Sequence, residues 1–428
     1  MQEQCSSPPT QLSSLPNELW LDIFHRVSQN KPFLPSSQNG AFMLSRVCRR
    51  WRVLVISERK FWTTLHLFNN RVEVGKRQRQ ERLVDLCLQR SDPCKLDIIL
   101  TDLQRYRRAE NVLTLPISFL NQTDRWRTLR LEIVMSPSAF RRFSVLKGQL
   151  QQLESFTVVY KPLKRPLLAQ FTSMRLHFLE NAPQLQTLRL MDPIHLLSAM
   201  VSFKRLTQVD LVPVTKSFQY PSTIHQFLNI LERCPNLSRC RLVCNISDND
   251  EQPFLSVVPR PHPNILNLDI FVAHSSHPDF GQPLDGRTVF DFLDLPSLAA
   301  LSITSYEPEL IWNVDSLDSF LVRTRGGLLR LELHFPRQPN KSMMKHLKHL
   351  RLTPKLQHLF ILIVDMGYSE HHILHDLSND DGSLAWPPAL HRLYYWTMNH
   401  NSTFAISSTP YWKYPSDSPY LQRSTQVT

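Results

Sequence analysis

From Trp126 onward the chain returns repeatedly to one pattern, apolar-x-x-apolar-x-apolar. It occurs at Trp126/Leu129/Leu131, Leu153/Phe156/Val158, Leu185/Leu188/Leu190, Leu206/Val209/Leu211 and Leu237/Cys240/Leu242. It returns at Ile265/Leu268/Ile270, Leu298/Leu301/Ile303, Leu328/Leu331/Leu333, Leu356/Leu359/Ile361 and Leu390/Leu393/Tyr395. The steps run from about 21 to 34 residues, the spacing of repeated supersecondary units. The last two apolar positions alternate with polar ones, which predicts a short strand with one buried face. Helical patterning lies between some of these strands. Thr223 to Cys234 places Ile224, Phe227, Leu228 and Leu231 on one face, and Asp315 to Thr324 does the same with Leu317, Phe320 and Leu321. A helix followed by such a strand cannot bury its apolar face alone, so units must stack on one another.

The N-terminal stretch is of another kind. Leu19, Ile23, Phe24 and Val27 fit one stripe of a helix, with Ser14 as a candidate N-cap and Pro16 near the first turn. Leu44, Val47, Cys48, Trp51, Leu54 and Val55 fit a second helix, with Arg46, Arg49, Arg50 and Arg52 mostly off that face. Phe61, Trp62, Leu65 and Leu67 predict a third. Three such helices make a core too small to stand alone, so docking on a partner or on the rest of the chain is expected.

The order Leu15-Pro16-Asn17-Glu18-Leu19 through Ile23-Phe24, then Val47-Cys48-Arg49-Arg50-Trp51-Arg52, then Phe61-Trp62-Thr63-Thr64-Leu65 resembles an F-box. The spacer from Gln29 to Gly40 resembles inserts in the expanded F-box families of mushroom-forming fungi. Stretches such as ENAPQLQTLRL and ERCPNLSRCRL resemble leucine-rich repeats of F-box proteins. The Asn that follows the strand in such repeats is matched only at Asn245, so the repeats are expected to be irregular. The fold class expected is α/β, with an N-terminal three-helix F-box followed by an irregular leucine-rich-repeat-like α/β solenoid. The expected divisions are 12–68 for the F-box, 69–125 for a linker with a first helix and strand, 126–398 for the solenoid, and 399–428 for a loosely ordered Ser/Thr/Pro-rich tail.

The resemblance implies a substrate-recognition subunit of an SCF-type ubiquitin ligase, bound to the Skp adaptor and through it to a cullin, with an unknown protein substrate on the repeats. It implies that Leu15, Pro16, Glu18, Leu19, Ile23, Val47 and Trp51 face or support the adaptor, with Phe24 and Trp62 in the box's own core. Substrate contacts are expected at strand positions between the leucines, read as exposed: Arg189, Gln208, Arg241, Asp269, Ser302, Glu332 and Phe360, with Arg189, Arg241, Asp269 and Glu332 as the candidate site. One rival reading is a leucine-rich-repeat binding module without ligase function. Another is a basic nucleic-acid-binding protein, prompted by the net charge of +12. Against the latter, the basic residues are dispersed. The runs Lys76 to Arg82 and Arg105 to Arg108 lack aromatic interleaving and read as solvated faces.

The remaining signals are mostly negative. Nine glycines and no phosphate-loop, nucleophile-elbow or dinucleotide fingerprint argue against a nucleotide enzyme, and no catalytic or cofactor-binding constellation stands out. His371, His372 and His375 lack the intervening glutamate of a zinc protease motif and a third ligand at a known spacing, so no metal site is assigned. Cys234, Cys240 and Cys244 read as core packing, since no Cys-x-x-Cys pair is present. The odd count of seven cysteines suits a reducing compartment, and the polar N-terminus lacks a signal-peptide pattern. No apolar run reaches the ~18 residues a membrane span needs. A cytoplasmic or nuclear protein is expected.

Overall fold

The computed structural model describes residues 15–29, 40–69, 74–102, 117–133, 143, 146–160, 177–179, 181–191, 204–212, 224–245, 260–273, 289–305, 314–324, 326–335, 353–363, 389–390 and 392–397. Ser14, the histidines at 371, 372 and 375, the loops expected at 275–287 and 379–388, and the tail from 399 lie outside these residues. The fold is mixed α/β. The chain divides into two units, residues 1–163 with 178–184 and residues 164–177 with 185–428.

The first unit opens with α1 (Asn17–Gln29), α2 (Ala41–Leu44) and α3 (Arg49–Ser57). The second expected helix is in fact two. The chain leaves helical geometry at Cys48, which is extended and whose Sγ accepts a hydrogen bond from the Trp51 backbone N–H at 3.4 Å. This caps α3 and separates Leu44, Leu54 and Val55, which are buried, from Val47 and Cys48, which are exposed. The third expected helix is only a 3-10 turn, Arg59–Trp62, leading into strand β1 (Thr64–Asn69). The basic run and the apolar helix after it form one helix, α4 (Val74–Ser91).

β1 pairs in parallel with β2 (Leu96–Asp102), β2 with β3 (Trp126–Ile133), and β3 with β4 (Ser155–Tyr160), with α5 (Ile117–Leu120) between β2 and β3. The register aligns Leu65, Ile98, Leu129 and Phe156 in one column and Leu67, Leu100, Leu131 and Val158 in the next. All eight are buried. The repeat therefore begins two strands earlier than Trp126, and its first copy is Trp62/Leu65/Leu67.

The second unit continues the scheme with β5 (Thr187–Met191), β6 (Gln208–Val212), β7 (Arg239–Asn245), β9 (Asn267–Ala273), β11 (Ala300–Ser305), β12 (Arg330–Phe335), β13 (His358–Ile363) and β14 (Arg392–Thr397), each parallel to its neighbour in that order. β8 (Arg260–Pro261) and β10 (Leu293–Asp294) form a separate two-stranded piece. Helices α6 (Ile224–Arg233) and α7 (Val314–Arg323) precede β7 and β12, as the patterning predicts. Register again stacks like on like: Leu188, Val209, Cys240, Leu268, Leu301, Leu331 and Leu359 in one column. Every one is at most 3% exposed, so the apolar pattern sets the register, as a one-residue slip would turn all of them outward.

The turns before β7 and β9 carry a second ladder, built on an Asn that precedes the strand. Asn236 Nδ2 donates to Lys204 O at 2.6 Å, and Asn264 Nδ2 donates to Pro235 O at 2.9 Å. Both follow a proline, in Cys234-Pro235-Asn236-Leu237 and His262-Pro263-Asn264-Ile265, and each ties its turn to the preceding one. Buried His262 adds a contact from Nε2 to Cys234 O at 3.0 Å. The recurrent Pro-Asn before the first leucine was the available signal.

Leu268→Ala removes a packed side chain from the centre of the column and is expected to cost about 2–5 kcal/mol. Ser302→Ala, on the opposite face of β11, is expected to stay within about 0.5 kcal/mol. Urea unfolding of the two variants beside wild type checks the contrast.

Candidate functional site

Two surfaces collect the residues singled out by sequence. The first is on α1 to α3. Phe24 and Trp62 are buried, and Trp62 Nε1 donates to Val55 O at 2.9 Å. Half-buried Trp51 packs its ring 4.9 Å from Trp20 and 4.6 Å from Phe24. With the aromatics turned inward, the aliphatic residues of the same helices face out. Leu19, Ile23 and Val27 are 48%, 42% and 54% exposed, and Met43, Val47, Val53 and Ile56 are exposed as well. Of the eleven exposed large hydrophobics among the described residues, these seven fall between residues 19 and 56. Such a concentration sets this segment apart from the rest of the described residues. Pro16 and Glu18 are exposed and Leu15 is half-buried.

Arg50 holds the entry to this surface. Its guanidinium donates to Leu15 O at 2.6 Å and to Asn17 Oδ1 at 2.9 Å, fixing the Leu-Pro segment against α3. Sequence reading placed Arg50 only among the off-face arginines. It also passed over Val53 and Ile56, whose i, i+3 spacing opposite buried Leu54 and Val55 was the signal. Behind this surface the helices are anchored to α4: Arg90 sits 4.4 Å over the Trp62 ring, and Val84, Cys87 and Leu88 are buried.

The second surface is the polar face of the second unit's strands. Register sets Arg189, Asp210, Arg241, Asp269, Ser302, Glu332 and Phe360 side by side in one row. The four candidate residues Arg189, Arg241, Asp269 and Glu332 thus share a line across the strands. They are not the freely exposed positions expected. Arg189 lies 3.8 Å from buried Asp210, and Arg241 lies 2.7 Å from Asp269. Arg330 pairs with Glu332, and His334 Nε2 lies 3.5 Å from the same carboxylate. Phe360 is buried, with its ring stacked 5.7 Å from that of His334. Burial alone would raise the Glu332 carboxyl, but His334 and the Arg330 charge outweigh it and hold the group below its ordinary 4.5. In the first unit Arg127 pairs with Asp97 and Arg130 with Glu132 in the same manner.

Cys234 and Cys240 are buried in the core, as their spacing predicts, and Cys244's side chain lies outside what is described. Burial pushes the Cys234 and Cys87 thiols up to about 12. Among the described residues no group of His, Cys, Asp or Glu is arranged to hold a metal ion, and no helix is long and apolar enough to cross a membrane.

The F-box-like family model matches residues 12–68. This segment is an F-box-like domain. Such domains bind the Skp adaptor and are adaptor modules, which points to a ubiquitin-ligase adaptor role for the chain. No curated protein matches the chain. A crystal structure of a Bacteroides fragilis protein matches with 11% identity over 65% of this chain and 73% of that one, at a TM-score of 0.27. A likeness that slight carries no argument about this chain. The exposed aliphatic residues on α1 to α3 all belong to the F-box-like domain, and its last strand, β1, is the first strand of the first unit's sheet.

Two outcomes test the site's chemistry. Iodoacetamide at pH 8 is expected to label exposed Cys48 in the native protein, and Cys87, Cys234 and Cys240 only after unfolding, as read by mass spectrometry. Because Glu332 has a folded pKa below its unfolded one, its stabilisation is full above pH ~4.5 and is lost as pH falls through the folded value. Wild type's stability advantage over Glu332→Gln should therefore be present at pH 6 and shrink as pH is lowered beyond ~4.5, measured by urea unfolding.

Proposed function

We propose that the protein is the substrate-recognition subunit of an SCF-type ubiquitin ligase. Its F-box-like domain docks on the Skp adaptor, and through it on a cullin, in the cytoplasm or nucleus. The strands beyond it, read as an irregular leucine-rich-repeat-like solenoid, hold the protein substrate. The observation that carries this reading is the cluster of exposed aliphatic residues within residues matched by the F-box-like family. Seven apolar side chains left in water on one small helical segment favour a covering partner, and a few central anchors then supply most of the affinity. The chemistry of ubiquitin transfer belongs to other subunits. This chain contributes proximity and orientation, which convert a chance encounter into an intramolecular one.

The mixed charge of the row from Arg189 to Phe360 fits a protein substrate better than a polyanion, because Arg189 and Arg241 each have an acidic neighbour. The residues assigned to the adaptor are Leu15, Pro16, Glu18, Leu19, Ile23, Val47 and Trp51. Trp51 acts mainly through its support of Trp20 and Phe24.

Co-purification of the full chain with the Skp adaptor tests the reading. Leu15→Ala/Pro16→Ala and Leu19→Asp/Ile23→Asp should each abolish recovery of the adaptor. The second pair should leave the thermal midpoint unchanged, since both side chains are already solvent-exposed. A cullin in the wild-type complex separates a ligase subunit from a bare adaptor binder. A folded wild-type chain that recovers no adaptor sinks the proposal.

A further inference from the structure

Just before the strands of the second unit runs a row whose backbone geometry repeats and whose side-chain chemistry does not. Gln186, Thr207, Ser238, Leu266, Ala299, Leu329 and Gln357 each precede the first residue of a strand. Each N–H after the first donates to the carbonyl of the residue before it in the row, at 2.8–2.9 Å. Each of those six carbonyls also accepts the N–H of the first residue of the following strand. The seven side chains therefore start from equivalent backbone positions. They are polar at both ends of the row and apolar over three consecutive turns. Of the four exposed large hydrophobics among the described residues outside the F-box-like domain, two stand here, Leu266 at 48% and Leu329 at 38%. Between them lies half-buried Ala299, followed by half-buried Ala300. Neighbouring strands are about 4.8 Å apart, so the two leucines stand about 10 Å apart with small residues between them. That is a notch with room for one bulky side chain. The charge around it has one sign. Segments 183–187, 204–208, 235–239, 263–267, 296–300, 326–330 and 354–358, which hold the row, contain no Asp or Glu. Arg239 and Lys355 are exposed, and neither side chain has a partner among the described residues. Each lies two strands from Ala299, or about 10 Å, on opposite sides of it. Arg330 is nearer but is engaged with Glu332.

From the notch and its flanks we infer that this edge binds an extended segment of the protein substrate. One bulky apolar side chain of that segment sits over Ala299 between Leu266 and Leu329, with a carboxylate on either side directed to Arg239 and Lys355. The inference rests on the substrate-holding reading of these strands and names the substrate's chemistry. Alternate residues of an extended segment share one face and lie about 6.6 Å apart. Acidic residues two before and two after the anchor therefore face the same way as the anchor. The long arginine and lysine stems span the remaining ~3 Å on each side. Apolar contact supplies most of the affinity, because exposed ion pairs add little each. The charges place the segment across the turns. The paired residues Arg189, Arg241, Asp269 and Glu332 take no part, so no existing ion pair has to be broken.

The test uses the full chain and three fluorescein-labelled decapeptides on a glycine–serine background, read by anisotropy. The first carries phenylalanine at its fifth position and glutamate at its third and seventh. The second has alanine for the phenylalanine. The third has its glutamates at the fourth and sixth positions, where they face away from the anchor. The first is expected to bind at least about fivefold more tightly than the second, and about threefold more tightly than the third. Leu266→Gln/Leu329→Gln repeats the side chain found at Gln186 and Gln357, and Ala299→Leu fills the notch. Each variant is expected to keep the wild-type thermal midpoint and to lose the preference for phenylalanine. Equal affinity of the first peptide with either of the others overturns the inference, as does no binding of it at about 0.1 mM protein. A phenylalanine preference that survives in a variant with the wild-type midpoint overturns it too. Self-association of wild type that the variants abolish, measured by sedimentation, overturns it in favour of a second copy of the chain. Recovery of the Skp adaptor keeps the two readings apart. Adaptor binding without the phenylalanine preference removes only this inference, and the preference without adaptor binding removes only the ligase reading.

Discussion

Stacking of one apolar column on the next is the interaction on which both units depend. A single strand with a leucine at alternate positions buries nothing by itself, and a parallel neighbour cannot be supplied by a tight hairpin. Each strand must therefore wait for the next copy of its own pattern, a crossover away in sequence. When it arrives, the alternation leaves one choice of register. Leu268 meets Cys240 on one side and Leu301 on the other, and all three are almost fully buried. The turn ladder through Asn236 and Asn264 fixes the same register from the strand starts, so core and turn specify one alignment.

The same stacking explains how an F-box-like segment too small for an independent core is held. Its last residues are not a third helix but β1, whose Leu65 and Leu67 join the columns begun by Ile98 and Leu100. Trp62, the first member of that triplet, is buried under Arg90 of α4 and bonded to Val55 of α3. Anchoring from behind satisfies the aromatic residues. It leaves Leu19, Ile23, Val47 and Val53 largely on the outside. Buried aromatic and exposed aliphatic residues thus alternate along the same short helices. Substitutions on the outer set can change binding without unfolding the domain.

The repeat was legible because its signal is periodic and redundant: each of the first nine expected triplets, Trp126/Leu129/Leu131 through Leu356/Leu359/Ile361, is buried. The first copy was hidden by its setting. Trp62/Leu65/Leu67 has the same spacing, but it follows helical sequence and a short apolar run reads as helix or strand equally well. The break at Cys48 was hidden for a related reason, since a helical stripe drawn through Leu44, Val47 and Trp51 gives no hint that a thiol caps a new helix start. What sequence could not supply at all was adjacency across strands. Arg189 and Arg241 lie 21 and 28 residues from Asp210 and Asp269, and only the register shows each beside its opposite charge, whereas Glu332 pairs with Arg330 two residues away on its own strand.

That adjacency has a physical consequence for where recognition can sit. A charge partly withdrawn from water needs a partner, so half-buried Arg241 and Asp269 are already answered by each other. Recruiting either to a ligand would expose the other, and the gain would be offset by the loss. At the strand starts the case differs from one residue to the next, since Arg330 is itself paired with Glu332. Arg239 and Arg392 lie in solvent, and their backbone N–H groups are taken up by the ladder at Thr207 O and Gln357 O. Their positions are fixed by the sheet while their side chains lie exposed. An exposed charge can be recruited at little cost, whereas a half-buried pair must first be broken.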